Sequence, residues 1–371
     1  MSGKRPAPIP TDSPLPAVPW PRRPTRRVQV GCLTIGGGAP ITVQTMAKTD
    51  PLDVPGTVAQ IRSVTAAGAD IVRLAVPNRR GAAAFAEIRQ QVGVPLVADI
   101  HFDYRLAIAA LKAGADKIRI NPGNIGGDDR LGAVVEAAAE RGVPIRVGVN
   151  AGSLEGTLLD KYGGPTAEAA AVSALHSVAR MERLGFSNIV VSIKASDIRR
   201  TVLANRLFAR ETDYPLHIGV TEAGVGEAAI ASSSAAAGIL LAEGLGDTLR
   251  VSITGDPVGE VRVGRSLLVA MGLLAGPRLV SCPTCGRCQA DVRSLAEAVQ
   301  RELLAVDAPI VVAVMGCEVN GPGEAREADV GLAAGRGQAT LFRRGERLRT
   351  IPIDEALSAL MDEVRSVSEE R

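Results

Sequence analysis

Short apolar runs alternate with longer amphipathic stretches over most of this chain, from about residue 40 to residue 273. The apolar runs are rich in β-branched residues. The stretches between them have helical periodicity, often with Asp, Thr or Pro before them and Gly after them. This pattern predicts eight strands, at residues 41–45, 70–76, 96–100, 117–121, 145–149, 188–193, 216–220 and 249–253.

Strands that alternate with helices must run parallel. Eight strand–helix units in roughly 230 residues is the number that builds a (β/α)8 TIM barrel. A doubly wound open sheet is the alternative, but no G-x-G-x-x-G segment follows the first predicted strand. We therefore expect a TIM barrel.

Polar residues occupy every second position within several predicted strands, so they share the face that the helices do not cover. In a barrel this face points into the lumen or its rim. The residues that the alternation places there are Arg73, Asp99, His101, Arg119, Asn121, Arg146, Asn150, Lys194, Arg250 and Ser252. His217 also points inward, and we expect it to be a hydrogen-bonded core residue rather than a ligand.

Five of these inward side chains are cations on separate strands, and they face mainly one carboxylate, Asp99. Burying them around one cavity would be costly without counter-anions. Guanidinium groups match phosphate oxygens in a bidentate way, and barrel enzymes place their chemistry at the carboxyl ends of the strands. Each arginine alone could be structural. Together they predict a multiply charged anionic substrate, most simply a phosphate or diphosphate ester.

The rhythm changes after Gly276, where we expect a small α+β domain. The pattern predicts a helix near residues 291–304, strands at 310–315, 329–332 and 338–342, and a terminal helix from about residue 354. This domain holds most of the thiols, in Cys282-Pro-Thr-Cys285-Gly-Arg-Cys288 and in a Gly/Pro-rich loop that begins with Cys317. A C-x-x-C turn closed by a distant thiol is typical of a bound metal or iron–sulfur cluster.

The identity of the bound group is open between two readings. A structural zinc would need a fourth ligand, which Cys288 could supply. The run of three cysteines also resembles part of a bacterial ferredoxin site, and Glu324 in a rigid Asn-Gly-Pro-Gly-Glu turn could offer a weak, exchangeable carboxylate. We favour a redox iron–sulfur cluster. Disulfides are a third reading, but nothing else in the chain suggests an oxidising compartment.

Composition is consistent with a barrel and a second small domain. The chain has 371 residues, of which 46% are hydrophobic and only 2% aromatic, so Ala, Val, Leu and Ile must fill the cores. The net charge of +2 gives no global electrostatic argument for nucleic acid, and no apolar run is long enough to span a membrane. Residues 1–27 are rich in proline and arginine and resemble a disordered leader rather than a signal peptide. We expect a cytoplasmic protein, with the barrel at 28–276 and the small domain at 277–371.

Eight motifs are specific enough to resemble a known family. They are VADIHFDY (97–104), KIRINPGNIG (117–126), GVNAGSLE (148–155), KASD (194–197), GVTEAG (219–224), GDTLRVS (246–252), CPTC (282–285) and NGPGE (320–324). In this order they resemble the 4-hydroxy-3-methylbut-2-enyl diphosphate synthase family of the methylerythritol phosphate route to isoprenoids. The resemblance runs from about residue 26 to the end of the chain.

The resemblance implies an oxidoreductase that opens 2-C-methyl-D-erythritol 2,4-cyclodiphosphate reductively and releases a hydroxyl as water. It implies a [4Fe–4S] cluster held by Cys282, Cys285, Cys317 and Glu324. It also implies electrons from reduced flavodoxin or ferredoxin, and a head-to-tail homodimer in which one subunit's cluster lies over the other's barrel mouth. A barrel without redox chemistry whose cysteines hold zinc, and a metal-stapled scaffold without activity, are the rival readings.

The resemblance also assigns roles within the barrel. The diphosphate and hydroxyl groups would be held by Arg73, His101, Arg119, Asn121, Arg146, Asn150, Lys194, Arg250 and Ser252. Glu222 matches a carboxylate near the leaving oxygen and is a candidate general acid, unless it only neutralises lumenal arginines. This chain departs from the pattern at Cys288, where a cysteine is not expected, and at Ser232, where relatives usually carry a lysine.

Overall fold

The structure is a computed structural model that describes residues 20–317 and 321–370. The chain divides into two compact units, the first ending at Leu267 and the second beginning at Leu268. The boundary expected from the sequence lies after residue 276. Residues 1–19 of the predicted leader lie outside the described residues.

A short hairpin precedes the barrel, and the sequence pattern did not predict it. Strands β1 (Val28–Val30) and β2 (Leu33–Ile35) pair antiparallel. Each strand has only three residues, which is too few to show a period of two. Their apolar side chains pack on Ile71, Val97 and Val190, which lie at the starts of barrel strands. The hairpin therefore covers the amino-terminal end of the barrel.

Eight parallel strands then form one sheet in the order β8-β7-β6-β5-β4-β3-β10-β9. They are β3 (Thr42–Met46), β4 (Ile71–Ala75), β5 (Leu96–Asp99), β6 (Lys117–Ile120), β7 (Ile145–Asn150), β8 (Ile189–Lys194), β9 (His217–Ile218) and β10 (Thr248–Leu249). A parallel bridge between Val191 and Leu216 joins the two ends of this sheet. The predicted TIM barrel is confirmed.

The last two barrel strands have two residues each and are shorter than predicted. Gly219 follows β9 with a φ of +143°, and a Cβ built there would lie 2.3 Å from the carbonyl oxygen of Arg250. Only glycine fits this close approach of two backbones. Arg250 and Ser252 consequently lie beyond the regular part of β10.

Ten helices accompany the described barrel strands, and side-chain caps begin many of them. The helices are α1 (Val54–Ala66), α2 (Arg79–Arg89), α3 (Tyr104–Lys112), α4 (Pro122–Ile125), α5 (Asp128–Ala139), α6 (Gly156–Tyr162), α7 (Ala167–Arg183), α8 (Ile198–Glu211), α9 (Gly226–Ala242) and α10 (Pro257–Ala270). Asp53, Asn78, Asp103, Thr166 and Asp197 each accept a hydrogen bond from the first turn of their helix. None of the helices in the described residues has the length and hydrophobicity that a membrane span requires.

Residues 20–27 make specific contacts, so disorder was the wrong prediction for this part of the leader. The Arg23 guanidinium donates to the carbonyl oxygens of Ala209 (3.1 Å), Thr212 and Tyr214 (2.7 Å). Carbonyl groups at the end of a helix such as α8 have no donor within the helix, and Arg23 supplies one. Arg26 stacks over the Tyr214 ring at 4.0 Å. A proline-rich composition does not reveal contacts of this kind.

Replacing Arg23 with alanine is expected to lower the free energy of unfolding by about 2 kcal/mol, because buried carbonyls lose their donor. The Tm measured by calorimetry should fall accordingly. Arg27→Ala is the matched control, since Arg27 is exposed and no hydrogen bond of its side chain is found in the described chain. Equal Tm values for the two variants would contradict the role given to Arg23.

The second unit is a five-stranded mixed sheet with three helices among its described residues. Its elements are β11 (Arg278–Ser281), α11 (Val292–Leu303), β12 (Val311–Met315), α12 (Gly321–Glu327), β13 (Val330–Ala334), β14 (Gln338–Arg343), β15 (Glu346–Pro352) and α13 (Ala356–Glu369). The strands lie in sequence order; the first three pair in parallel, and β14 pairs antiparallel with both of its neighbours. Strands β11 and β15 were not predicted, and a short helix, α12, stands where a rigid turn was expected.

The two faces of this sheet are covered differently. Helices α11 and α13 pack their apolar side chains on one face, against residues such as Val312, Leu332 and Leu341. On the other face Ala313 and Met315 pack with Ala328, next to α12. Over β14 and β15 this second face carries Thr340 and other polar side chains instead of a core.

Candidate active site

Asp99, at the end of β5, is the centre of the ion pairs inside the barrel. Its carboxylate lies 3.1 Å from Arg119 Nη1, 3.7 Å from Arg73 Nε and 3.5 Å from His101 Nε2. Strand alternation predicted that these side chains share the lumen, and the structure brings them together. Burial alone would raise the pKa of Asp99, but Arg73, His101 and Arg119 hold it well below its usual range. Asp99 is therefore a carboxylate at neutral pH.

Arg146 carries buried donor atoms that nothing in the described chain satisfies. Its side chain is 2% exposed, and Nη1 donates to Ser192 Oγ at 2.8 Å. Its Nε and Nη2, like Nε of Arg119, have no hydrogen-bond partner among the described residues. Each buried unpaired donor costs about 1–3 kcal/mol. An anion with several oxygens is the ligand that these donors fit.

Two lysines also lie in this part of the lumen. Lys194 ends β8 and Lys117 begins β6, and both are at most 9% exposed. Burial and then the neighbouring Arg146 lower the pKa of each amine well below its usual value. Burial also lowers the pKa of Arg73, to about 10, which leaves its guanidinium charged at neutral pH. In the free site, burial and the neighbouring cations therefore make the charged forms of these side chains unfavourable.

Glu260 on α10 is a site residue that the sequence reasoning missed. It is 1% exposed and accepts hydrogen bonds from Thr45 Oγ1 (2.9 Å) and Arg250 Nη2 (3.2 Å). Lys48, also missed, lies 3.0 Å from the same carboxylate and donates to the carbonyl oxygens of Ile253 and Gly255. Burial raises the pKa of Glu260, but Arg250 and Lys48 lower it further than burial raises it.

The packing of α10 on the barrel explains why Glu260 is buried. Gly264, four residues later on the same face of α10, packs on Val43 and Leu249, so this face points at the barrel. A carboxylate on a helix face that packs on a sheet must have a buried partner. Arg250, already predicted to point inward, is that partner. Glu260 therefore fixes the direction of the Arg250 guanidinium.

His217 is buried as predicted, but the expected hydrogen bond is not found. Its side chain is 1% exposed, and neither ring nitrogen has a partner within the described ranges. Burial and the nearby Lys194 and Arg146 lower the pKa of the imidazole well below its usual value. The ring is therefore neutral at pH 7.

The remaining predicted barrel residues lie at the carboxyl ends of the strands. Asn121 Oδ1 accepts a hydrogen bond from the Gly123 amide at 3.0 Å and so caps α4. Asn150 ends β7 and is half-buried, and Ser252, beyond β10, is half-buried as well. In the described part of the chain no hydrogen bond or ion pair joins Glu222 to the lumenal arginines.

Glu222 has an unusual backbone. It is exposed in the segment after β9 and has a φ of +55°, in the left-handed region that residues other than glycine rarely adopt. Such a conformation costs on the order of 1–3 kcal/mol and is commonest at functional sites. The backbone at Glu222 is therefore strained. Ser232, where a lysine was expected, is half-buried on α9.

The cysteines of the second unit gather at one edge of its sheet. Cys282 directly follows β11, where its amide donates to the carbonyl oxygen of Val314 at 3.0 Å, and Cys317 follows the neighbouring β12. Cys285 lies three residues further, after Thr284, which also has a positive φ of +55°. Glu324 is exposed in the first turn of α12. Three thiols and a carboxylate are a donor set that suits iron.

The side chains themselves are not arranged as a closed metal cage. Within residues 20–317 and 321–370, no three His, Cys, Asp or Glu side chains are placed to hold one metal ion. Cys288 lies beside Gly316, the residue before Cys317. The Cys288 Sγ is 3.2 Å from the carbonyl oxygen of Ala290 and packs against the core on the α11 side. Cys317 instead lines a cleft on the other side of the sheet.

Comparison with known proteins places this geometry in a family. Residues 25–265 match the family model described as the GcpE TIM-barrel domain, and residues 278–366 match the GcpE protein C-terminal domain. A Geobacter sulfurreducens protein named 4-hydroxy-3-methylbut-2-en-1-yl diphosphate synthase (flavodoxin) is 54% identical, over 94% of this chain and 99% of its own. A protein of the same name from Anoxybacillus flavithermus is 52% identical, over 94% and 96% of the two chains.

Among solved structures, a dihydropteroate synthase from Yersinia pestis is similar at 15% identity and a TM-score of 0.48, over 66% of this chain and 97% of that one. That similarity is too low to bear on function. The family models together match nearly all of the described chain, in the order barrel and then C-terminal domain. This chain belongs to the GcpE family.

Proposed function

We propose that this protein converts 2-C-methyl-D-erythritol 2,4-cyclodiphosphate to 4-hydroxy-3-methylbut-2-enyl diphosphate. In this reaction the substrate gains two electrons and two protons, its ring opens and one water leaves. The names of the relatives support the activity. The observation that carries it here is the buried Arg146, whose unpaired donors face a lumen with few carboxylates. A cyclic diphosphate supplies the missing negative charge.

The barrel residues would act by binding and orientation. Arg119 and Arg146 present buried N–H groups, and Glu260 directs Arg250 toward the same lumen. Their preset positions lower the entropy cost of holding a diphosphate in one pose. They also stabilise the charge that grows on the diphosphate as it departs from its ring carbon. The proposed substrate-binding set is Arg73, His101, Arg119, Asn121, Arg146, Asn150, Lys194, Arg250 and Ser252.

We assign the proton for the departing hydroxyl to Glu222. Expelling hydroxide requires a proton within hydrogen-bond reach, and a carboxyl group at the mouth of the barrel can supply it. Glu222 is exposed and held in a strained backbone, and no ion pair with an arginine is found in the described chain. A carboxylate that served only to neutralise the lumen would be expected to have such a partner.

We propose that Cys282, Cys285, Cys317 and Glu324 hold a [4Fe–4S] cluster. The donor set fits this group, and the first and third thiols leave adjacent parallel strands at the same edge of the sheet. When bound, the cluster would supply single electrons at low potential. Cys288 is not in the proposed set, because the resemblance assigns no ligand to this position and its Sγ lies 3.2 Å from the carbonyl oxygen of Ala290.

The wider setting follows from the same proposal. Reduced flavodoxin or ferredoxin would supply the electrons, and the active form would be a homodimer in the cytoplasm. The substrate-binding domain would comprise residues 28–276 and the cluster domain residues 277–371.

Substrate binding is expected to take up protons at Lys194. In the free protein its amine has a lowered pKa, and a bound diphosphate must raise that pKa again. At a pH between the pKa of Lys194 in the free protein and its pKa in the complex, a proton binds together with the substrate. The affinity therefore falls as the pH rises through that window, by up to about tenfold per pH unit and proton. Calorimetry in two buffers of different ionisation enthalpy measures the uptake.

Lys194→Met should reduce this proton uptake, whereas Lys112→Met, at the exposed end of α3, should leave it unchanged. Proton release on binding, or an affinity that rises with pH, would contradict the assignment.

The function is tested by anaerobic reconstitution with iron and sulfide, followed by an assay with the cyclodiphosphate and reduced methyl viologen. We expect formation of the linear diphosphate. A reconstituted protein that binds the cyclodiphosphate but never opens its ring would refute the proposed reaction.

A further inference from the structure

A cleft of about 730 Å³ opens on the face of the second unit's sheet that lies opposite α11 and α13. Alternation along β14 puts Ala339 and Leu341 into the core on one side and Thr340 and Phe342 into the cleft on the other. The side chains that give the cleft its character are Cys317, Arg326, Arg336, Gln338, Thr340 and Arg347. The cleft is therefore polar and basic, and it includes one of the proposed cluster ligands.

The three arginines of this cleft keep their charge uncompensated. All three are exposed, and none has a carboxylate partner among the described residues. Arg347 donates to Thr350 Oγ1 at 2.9 Å, and Arg326 lies 5.8 Å from the Phe342 ring. These contacts hold the side chains without neutralising them. The cleft is thus a cationic surface.

Other arginines on and between β14 and β15 are paired with carboxylates. Arg343 and Arg349 form ion pairs with Glu363 on α13, and Arg344 pairs with Glu370. Arg347 on β15, Arg326 on α12 and Arg336 before β14 lack such carboxylate partners in the described part of the chain. A partner that brings its own negative charge would complement these arginines.

We infer that this cationic cleft is the docking surface for an acidic electron-carrier protein. The inference rests on the proposed function, because the carrier must approach the group that Cys317 would hold. Exposed charges chiefly raise the rate of encounter, and complexes that transfer electrons are small and short-lived. Each carrier loses one electron on docking, and two carriers serve one turnover. The substrate then takes up two electrons and two protons and releases water.

The test compares two electron donors in one charge-reversal variant, Arg336→Glu/Arg347→Glu. With reduced flavodoxin, kcat/KM is expected to fall roughly 10- to 100-fold, and its dependence on ionic strength should weaken. With reduced methyl viologen, which needs no docking surface, the rate should stay within about twofold of wild type. Flavodoxin affinity, measured directly by biolayer interferometry, should fall in parallel with kcat/KM.

Arg293→Glu/Arg301→Glu is the matched control, because it makes the same charge change at exposed positions of α11, on the other side of the sheet. This control should keep the wild-type rate with both donors. An unchanged flavodoxin rate and affinity in the cleft variant would overturn the inference.

Equal losses with both donors would also overturn it, and light scattering would then show whether the cleft had instead held a second copy of the chain. Another outcome is that the wild-type protein binds flavodoxin at the cleft and yet opens no cyclodiphosphate with either donor. That result would refute the proposed function and support the docking surface. Failure of the function and failure of the docking surface are thus separate results.

Discussion

Replacing Cys317 with serine is expected to abolish turnover, with at most about 1% of wild-type activity left, and to lower the iron content sharply. Serine keeps the size of the side chain but removes the thiolate, which is the donor that an iron–sulfur cluster requires. Cys317 follows β12 beside Cys282 at one edge of the sheet, so its loss would leave that edge one ligand short. Iron analysis and the visible absorbance of anaerobically purified protein are the measurements.

Cys288→Ser is the matched control. Its Sγ lies 3.2 Å from the carbonyl oxygen of Ala290, and Cys288 is not among the residues that line the Cys317 cleft. We expect this variant to keep its iron and most of its activity. Loss of iron in Cys288→Ser together with retention in Glu324→Ala would show that the fourth ligand is Cys288.

Asp99→Asn is expected to have the largest effect within the barrel. The change removes a buried carboxylate that lies within 4 Å of Arg73, His101 and Arg119. Breaking a buried ion pair by removing one partner costs about 3–5 kcal/mol, because the cations stay behind uncompensated. Chemical denaturation should show a loss of this size. The value of kcat/KM should fall by at least about 100-fold, since the clamp loses its fixed geometry.

The same variant should become more dependent on anions. With one negative charge fewer in the lumen, added pyrophosphate should raise its Tm more than it raises that of the wild type. Asp103→Asn provides the comparison, because Asp103 is a half-buried cap of α3 and asparagine keeps the oxygen that accepts the capping hydrogen bond, so the expected loss is below about 1 kcal/mol. A stability of Asp99→Asn within 1 kcal/mol of wild type would contradict the ion-pair account.

The barrel and its inward residues could be predicted because a strand has a period of two. In β6 and β7 this period separates Arg119 and Arg146 from the isoleucines and valines that pack outward. The network around Asp99 followed from that alternation alone. The unpaired hydrogen-bond donors of Arg146 could not be predicted from this alternation, because they depend on interatomic distances that a sequence pattern does not contain.

Other parts of the site could not be read from a local pattern. Lys48 lies after β3 and Glu260 on α10, far apart in sequence, and they meet only because the barrel closes. The role of Arg23 depends on the end of α8, which is equally distant in sequence. In the second unit, β11 and β15 were missed because most of their residues are exposed or only half-buried and so lack an apolar signal.

The most direct test is the iron, zinc and acid-labile sulfide content of protein purified without oxygen. The account predicts about four iron and four sulfide per chain, with a cluster signal after reduction. One zinc per chain and no acid-labile sulfide would contradict it, because the barrel would then have no source of single electrons.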